Sequence, residues 1–270
     1  MKMHPYWLFL FALLLPQVTV GNPAVVSLFL ADEPVAEAMG EPRGIEDGLF
    51  TLRVREGAGT IDYRFATDDI AYLRFHDEAE VRRAIELWEE DAFAEAAREG
   101  VRLLKRRGEY LALLRQEEIL WFRTVADWAF AAELPHESIA IGELLLPFIA
   151  DAGERQAAED QILNGYFHLP IRAEARGLAE TWIKSRGRGH SSALGYYVLA
   201  TLELDAGRAE AARDLALKPI VFSSAYPTRW LAECYQVALE ASLQMDDEDT
   251  AEYLKVEMIE REISLQQKEN

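Results

Sequence analysis

Residues 192–216 read SALGYYVLATLELDAGRAEAARDLA. Small and large apolar residues recur at helical spacing on both sides of Asp205-Ala206-Gly207-Arg208. That pattern predicts a helix, a tight turn and a second helix folded back on the first. A lone helix pair cannot bury both of its apolar faces, so such pairs come in series and stack.

The same reading extends in both directions. Downstream, Pro219 is expected to end the second helix, with Ile220 to Tyr226 as a connector. Pro227 opens a helix holding Trp230, Cys234 and Tyr235. Asp246-Asp247-Glu248-Asp249 is a charged turn that caps a last helix and puts negative charge at its start. Upstream, helices are predicted from Glu78 to Glu90, from Phe93 to Arg107, from Tyr110 to Glu133, from Pro135 through Phe148, from Glu154 to His168, and from Pro170 to Ser185. Arg106-Arg107-Gly108 places positive charge at a helix carbonyl end, as the helix dipole favours.

Before Asp77 the periodicity changes. Phe50, Leu52 and Val54 alternate with polar residues, as do Ile61, Tyr63 and Phe65, and Ile70 to Phe75 follows. With turns at Glu56-Gly57-Ala58-Gly59 and Thr67-Asp68-Asp69, this predicts a three-stranded antiparallel meander. The expected organisation is a signal peptide over 1–21, a linker over 22–43, a small β segment over 44–76, a helical repeat domain over 77–265 and a frayed tail over 266–270.

The leader expectation rests on Lys2, the apolar run Tyr6 to Leu15, Pro16, and small residues at Thr19-Val20-Gly21. An uncleaved anchor from Tyr6 to Ala31 is the alternative. Either way the chain is expected to be exported, to the periplasm or the extracellular space, with no membrane contact once the signal is removed.

Small residues early in each second helix, Ala97, Ala140, Ala175, Ala212 and Ala251, recur about forty residues apart. Ala200, Gly207 and Ala212, with Tyr196 and Leu199 before them, resemble the tetratricopeptide repeat. There a small residue, a glycine and an alanine at these spacings let two helices approach closely. Around Ala97 the glycine place is taken by Asp91, around Ala140 by Pro135 and around Ala251 by Asp246. The resemblance covers about residues 78–265, with one well-matched unit. It implies a mainly α fold, a right-handed stack of antiparallel helix pairs, and a scaffold that binds proteins or peptides. The layout of leader, β segment and helical repeats is similar to that of small exported envelope proteins of bacteria.

The resemblance also implies that the first helix of each pair faces a groove. That placement points to Asp160 and Asn164, Tyr197 and Thr201, and Gln236 and Glu240. Tyr196, Tyr197, Tyr226, Trp230 and Tyr235 are expected mainly as inter-helix core, with some as groove anchors.

The 270 residues carry 47 acidic against 28 basic side chains, a net charge of −19. This balance argues against nucleic acid, which is bound through clustered positive charge, and against a polybasic membrane contact. A basic partner or bound cations fit it better. Cys234 is the single cysteine, set in an apolar run, and reads as a small buried hydrophobe.

No pair of the five histidines has the spacing that puts two imidazoles on one helix face, so no metal or cofactor is expected. His190-Ser191-Ser192 reads as a helix cap rather than a nucleophile, and Arg186-Gly187-Arg188-Gly189 as a solvated turn. The reading is therefore a noncatalytic binding scaffold of the envelope. Two other classes stay open. A structural subunit would show an exposed apolar face on the last helix or a β edge. A hydrolase or lyase would place His168 near Asp160 in a closed cleft.

Overall fold

The computed structural model describes residues 24–31, 36–186, 193–222, 230–261 and 263. The proposed leader, Asp32-Glu33-Pro34, His190-Ser191-Ser192, Tyr226, Pro227 and the tail lie outside the described residues. The chain divides into two compact units, residues 1–83 with 102–115, and residues 84–101 with 116–270.

The first unit is built on a five-stranded antiparallel sheet, not the three strands expected: β1 (Val26–Leu30), β2 (Ala38–Glu46), β3 (Leu49–Glu56), β4 (Gly59–Ala66) and β5 (Ile70–Phe75). The spatial order is β4-β3-β2-β1-β5. The predicted meander therefore fails at its last step. β5 pairs with β1, through Val26 with Phe75 and Leu28 with Leu73, and β4 is left as an edge. The stretch expected as a linker over 22–43 supplies β1 and the start of β2.

The physical reasons are visible in the residues. Val25 to Leu30 reads as an extension of the apolar leader until a partner strand is known. β2 carries Gly40, Pro42 and Gly44, and its register against β3 shifts between Pro42 and Gly44, a bulge that accommodates a residue without an N–H. Asp47 and Gly48 both take positive φ (50° and 74°) and join β2 to β3. Asp-Gly is the hairpin signal that would have revealed β2.

Val26, Leu28, Phe50, Leu52, Leu73 and Phe75 are buried at alternate positions. The ring of Tyr110 packs on Phe50 (5.8 Å) and Phe75 (5.9 Å). Arg107 is buried beside them. Its guanidinium donates to Asp77 and lies 4.8 Å from the Phe75 ring centre. The arginine expected simply to complement a helix dipole is thus an internal ion-pair partner.

Ten α-helices follow among the described residues: α1 (Glu78–Glu89), α2 (Phe93–Arg107), α3 (Gln116–Ala131), α4 (Pro135–Leu145), α5 (Ala152–His168), α6 (Arg172–Arg186), α7 (Ala193–Asp205), α8 (Ala209–Phe222), α9 (Leu231–Gln244) and α10 (Glu248–Glu260). The protein is mainly helical. Two boundaries differ from expectation. The predicted helix from Tyr110 begins instead as a 3-10 turn, Gly108–Leu113, followed by an extended Leu114. Pro219 does not end α8 but sits in its final turn, and the helix continues to Phe222. A proline inside a helix removes one hydrogen bond and crowds the carbonyl four residues back, a disturbance that falls here in the last turn.

Within the second unit, one turn is repeated. Asp91, Glu133, Gly207 and Asp246 all have positive φ, from 57° to 72°. Each N–H bonds the carbonyl three residues back, and the next N–H the carbonyl five back. The pairs are Asp91 to Trp88 and Ala92 to Leu87, Glu133 to Phe130 and Leu134 to Ala129, Gly207 to Leu204 and Arg208 to Glu203, Asp246 to Leu243 and Asp247 to Ser242. This is the Schellman cap, and in every case the next helix starts two residues after the left-handed position.

Gly207 therefore serves the turn rather than a close approach, because a Cβ there would meet nothing within 4 Å. The glycine place before Ala140 is filled by Glu133, not Pro135, which is the first residue of α4. Ala200 and Ala212 are both fully buried. Within this unit each of α3 to α9 contacts the helix after it, and α3 also contacts α5, α5 contacts α7 and α7 contacts α9. Close approach comes from other glycines. A Cβ on Gly165 would lie 2.6 Å from Ile139 Cγ1, and one on Gly142 2.7 Å from Ile162 Cγ1, so α4 and α5 interlock through both.

Candidate functional site

A pocket of about 280 Å³ opens in the second unit. α3 supplies Arg123, Asp127 and Phe130; α5 supplies Gln156, Asp160, Gln161 and Asn164; Trp230, just before α9, completes the wall. The helical spacing explains the set. Residues 123, 127 and 130 share one face of α3, and 156, 160 and 164, with 153, 157 and 161 beside them, share one face of α5. Asp151 caps α5, its side chain accepting from the Glu154 N–H at 2.9 Å.

Ion pairs hold the charged members. Arg123 lies 3.3 Å from Asp127 and 3.1 Å from Glu154. Arg186 of α6 is buried, and meets Glu159 and Asp160 at 2.7 Å each. The amides are treated differently. Asn164 is 7% exposed, and its Oδ1 has no hydrogen-bond partner. Gln161 donates through Nε2 to Ser138 Oγ at 3.3 Å, while its Oε1 is buried without a donor. Leaving a buried acceptor unpaired costs about 1–3 kcal/mol, so two together at one pocket are the least satisfied polar groups of α5.

Of the six residues assigned to a groove, the structure brings Asp160 and Asn164 to this pocket. Tyr197 lies behind it, its ring stacked on Trp230 at 6.0 Å and edge-on to Phe167 at 5.5 Å. Burial pushes the Tyr197 hydroxyl up from its ordinary pKa. The Thr201 hydroxyl donates to the Tyr197 carbonyl at 2.9 Å, one turn back. Gln236 is half-buried and Glu240 exposed on α9, and neither lines the pocket. Arg123, Asp127, Phe130 and Gln161 were not singled out from sequence. The i, i+4 pair Arg123–Asp127 reads as an ordinary surface ion pair until α5 is placed beside it.

His168 is exposed, with Nδ1 2.8 Å from the Asn164 carbonyl and its ring edge-on to Phe130 at 5.0 Å. It does not line the pocket. Cys234 is fully buried, its thiol pushed up by burial and directed to the Ala193 carbonyl at 3.5 Å. In the first unit, Ser27 Oγ lies 2.8 Å from His76 Nε2, a pair not singled out from sequence. Ser27 is buried on an interior strand, and the His76 N–H bonds the Val25 carbonyl at 2.9 Å. The contact fastens β1 to the end of β5.

Burial also raises the Glu143 carboxyl to about 7, against a Tyr166 hydroxyl donating at 3.0 Å that favours the ionised form. Among the described residues, no group of three or more metal-ligating side chains gathers, and no helix is long and apolar enough to cross a membrane. No family model matches the chain, and no curated protein and no solved structure matches it.

Proposed function

We propose that the second unit is a tetratricopeptide-like, right-handed stack of antiparallel helix pairs, and that the protein is an exported, noncatalytic scaffold of the cell envelope. It binds another protein or a peptide on the face made by the first helices of the pairs. Two features support the stack: the same capped turn in four places, and the contacts of α3 with α5, α5 with α7 and α7 with α9. The observation that carries the binding role is the pocket, where α3, α5 and Trp230 present carboxylates, amides and aromatic rings together. A pocket lined by both polar and aromatic residues on helices that otherwise bury apolar faces fits recognition of an extended, donor-bearing chain.

The test is a crosslinked capture of tagged full-length protein from its native envelope, with Asp160→Asn, Tyr197→Ala and Gln236→Ala combined as comparison. A stoichiometric protein partner that is weakened by salt and lost with the triple variant is expected. A partner held equally by the variant removes the groove assignment.

A second reading, a structural subunit of a larger assembly, is favoured by one observation. Tyr253, Val256 and Ile259 of α10 are exposed apolar residues, as are Ile61 and Tyr63 on the β4 edge. Charged substitutions at Tyr253 and Ile259 that disperse an envelope complex without affecting pocket binding would select it.

A further inference from the structure

Folded proteins pair nearly all their buried polar atoms, so an exception inside a pocket calls for an explanation. Glu203, as buried in α7 as Asn164 is in α5, accepts from Arg176 at 2.7 Å and also from Arg208. Asn164 Oδ1 and Gln161 Oε1 are two such exceptions, both acceptors on residues lining one pocket; a third atom there, Arg123 Nε, makes no hydrogen bond but stands 3.1 Å from the Glu154 carboxylate. Their terminal amides turn about soft torsions, so a donor entering the pocket can be met at little cost.

The charges around them lean the same way. Asp127, Glu154, Glu159 and Asp160 surround Arg123 and Arg186, leaving more negative than positive charge. Phe130 and Trp230 also line the pocket, and an aromatic ring attracts a cation placed over its face. At about 280 Å³ the space suits one long side chain rather than a cofactor.

We infer that the pocket is a subsite for an arginine side chain of the bound peptide. A guanidinium supplies several N–H donors in one plane, enough for two amide oxygens and a carboxylate edge, while its face stacks on an aromatic ring. Lysine presents a compact ammonium without that fork and satisfies fewer of the acceptors. The inference rests on the peptide-binding reading above and names the chemistry that reading leaves open.

The probes are capped tripeptides Ala-X-Ala, with X arginine, citrulline, lysine or glutamate, titrated calorimetrically into the full-length protein. Citrulline keeps the shape of arginine without its charge. Arginine is expected to bind at least about tenfold more tightly than citrulline, with glutamate weakest. Asn164→Leu is expected to remove about tenfold in arginine affinity while leaving the unfolding midpoint unchanged or raised, because it deletes an unpaired polar group; an asparagine of structural importance would lower that midpoint.

Equal binding of the arginine and citrulline peptides overturns the subsite, and that comparison needs no variant. Unchanged arginine affinity in Asn164→Leu also overturns it. A parallel screen of a random peptide library separates the two proposals. Library peptides retained through Asp160, with no tripeptide bound, leave the scaffold standing and remove the arginine subsite; no retention at all removes both.

Discussion

Where α7 turns into α8, the chain uses a left-handed glycine and two crossed backbone hydrogen bonds. Where α5 turns into α6, it leaves through an extended Leu169 and then Pro170, without a left-handed residue. The two helices before these turns also differ inside. α7 buries Leu194, Val198, Leu199 and Leu202, and its one buried carboxylate, Glu203, is fully engaged. α5 buries an asparagine with an unpaired oxygen; both helices pack on the one before through a glycine, Gly165 of α5 against Ile139 and Gly195 of α7 against Ile183. The regular pair is stabilised by local backbone geometry and a satisfied core. The irregular one lacks the capped turn and carries the pocket. Departures from local rules of this kind are where functional sites are generally sought.

The strongest way to break the irregular pair is Gly165→Ala. Its methyl would sit 2.6 Å from Ile139 Cγ1, and Ile139 is itself buried. Overpacking of this kind costs about 3 kcal/mol, read as a lower urea midpoint. Ile139→Val in the same chain should recover part of it. Full stability in the single variant would mean that α4 and α5 are not held this closely.

Glu143 gives the next largest effect, in a direction set by linkage. Its folded pKa of about 7 lies above its ordinary 4.5, so the fold holds a proton that the unfolded chain releases. The associated stability is complete below about pH 4.5 and is lost as pH rises through 7. Glu143→Gln should therefore stabilise the protein by on the order of 2 kcal/mol at pH 8 and converge with wild type near pH 5. Thermal melts across that range check it, and a constant difference between the two proteins would refute it.

The regular pair is tested at its turn. Gly207→Ala forces a side chain into the left-handed region and should cost about 1 kcal/mol. No steric clash contributes, because the site is open. The smallest effect has the opposite sign. Glu133 already adopts φ 59°, and Glu133→Gly should stabilise by about 0.5 kcal/mol, the relieved strain slightly exceeding the entropy cost of glycine. Midpoints from chemical unfolding distinguish the two signs.

Much of the helical part was legible along the chain. Ala200, Gly207 and Ala212 fixed one pair, and Pro135 and Asp246-Asp247 marked the starts of α4 and α10, because helix caps and helical periodicity are local. The recurrence of the turn was less visible, since aspartate and glutamate occupy three of its four left-handed positions. The sheet departs from the expected meander where pairing is non-local. β1 lies between β2 and β5, and its β5 partners stand forty or more residues away in sequence. Within the candidate site, Asp160 and Asn164 were accessible through the repeat resemblance, but Arg123, Asp127 and Gln161 were not.

The sequence by itself determined a predominantly helical chain, its acidic balance, the helix pair around Gly207 and a buried Cys234, because each depends on composition or on residues within a few turns of one another. Only the tertiary structure decided the strand order, the internal pairing of Arg107 with Asp77, and the meeting of α3, α5 and Trp230 around two unpaired amide oxygens. Those depend on which distant segments share a face. A one-dimensional pattern of apolar and polar residues specifies that a face is buried without specifying its partner.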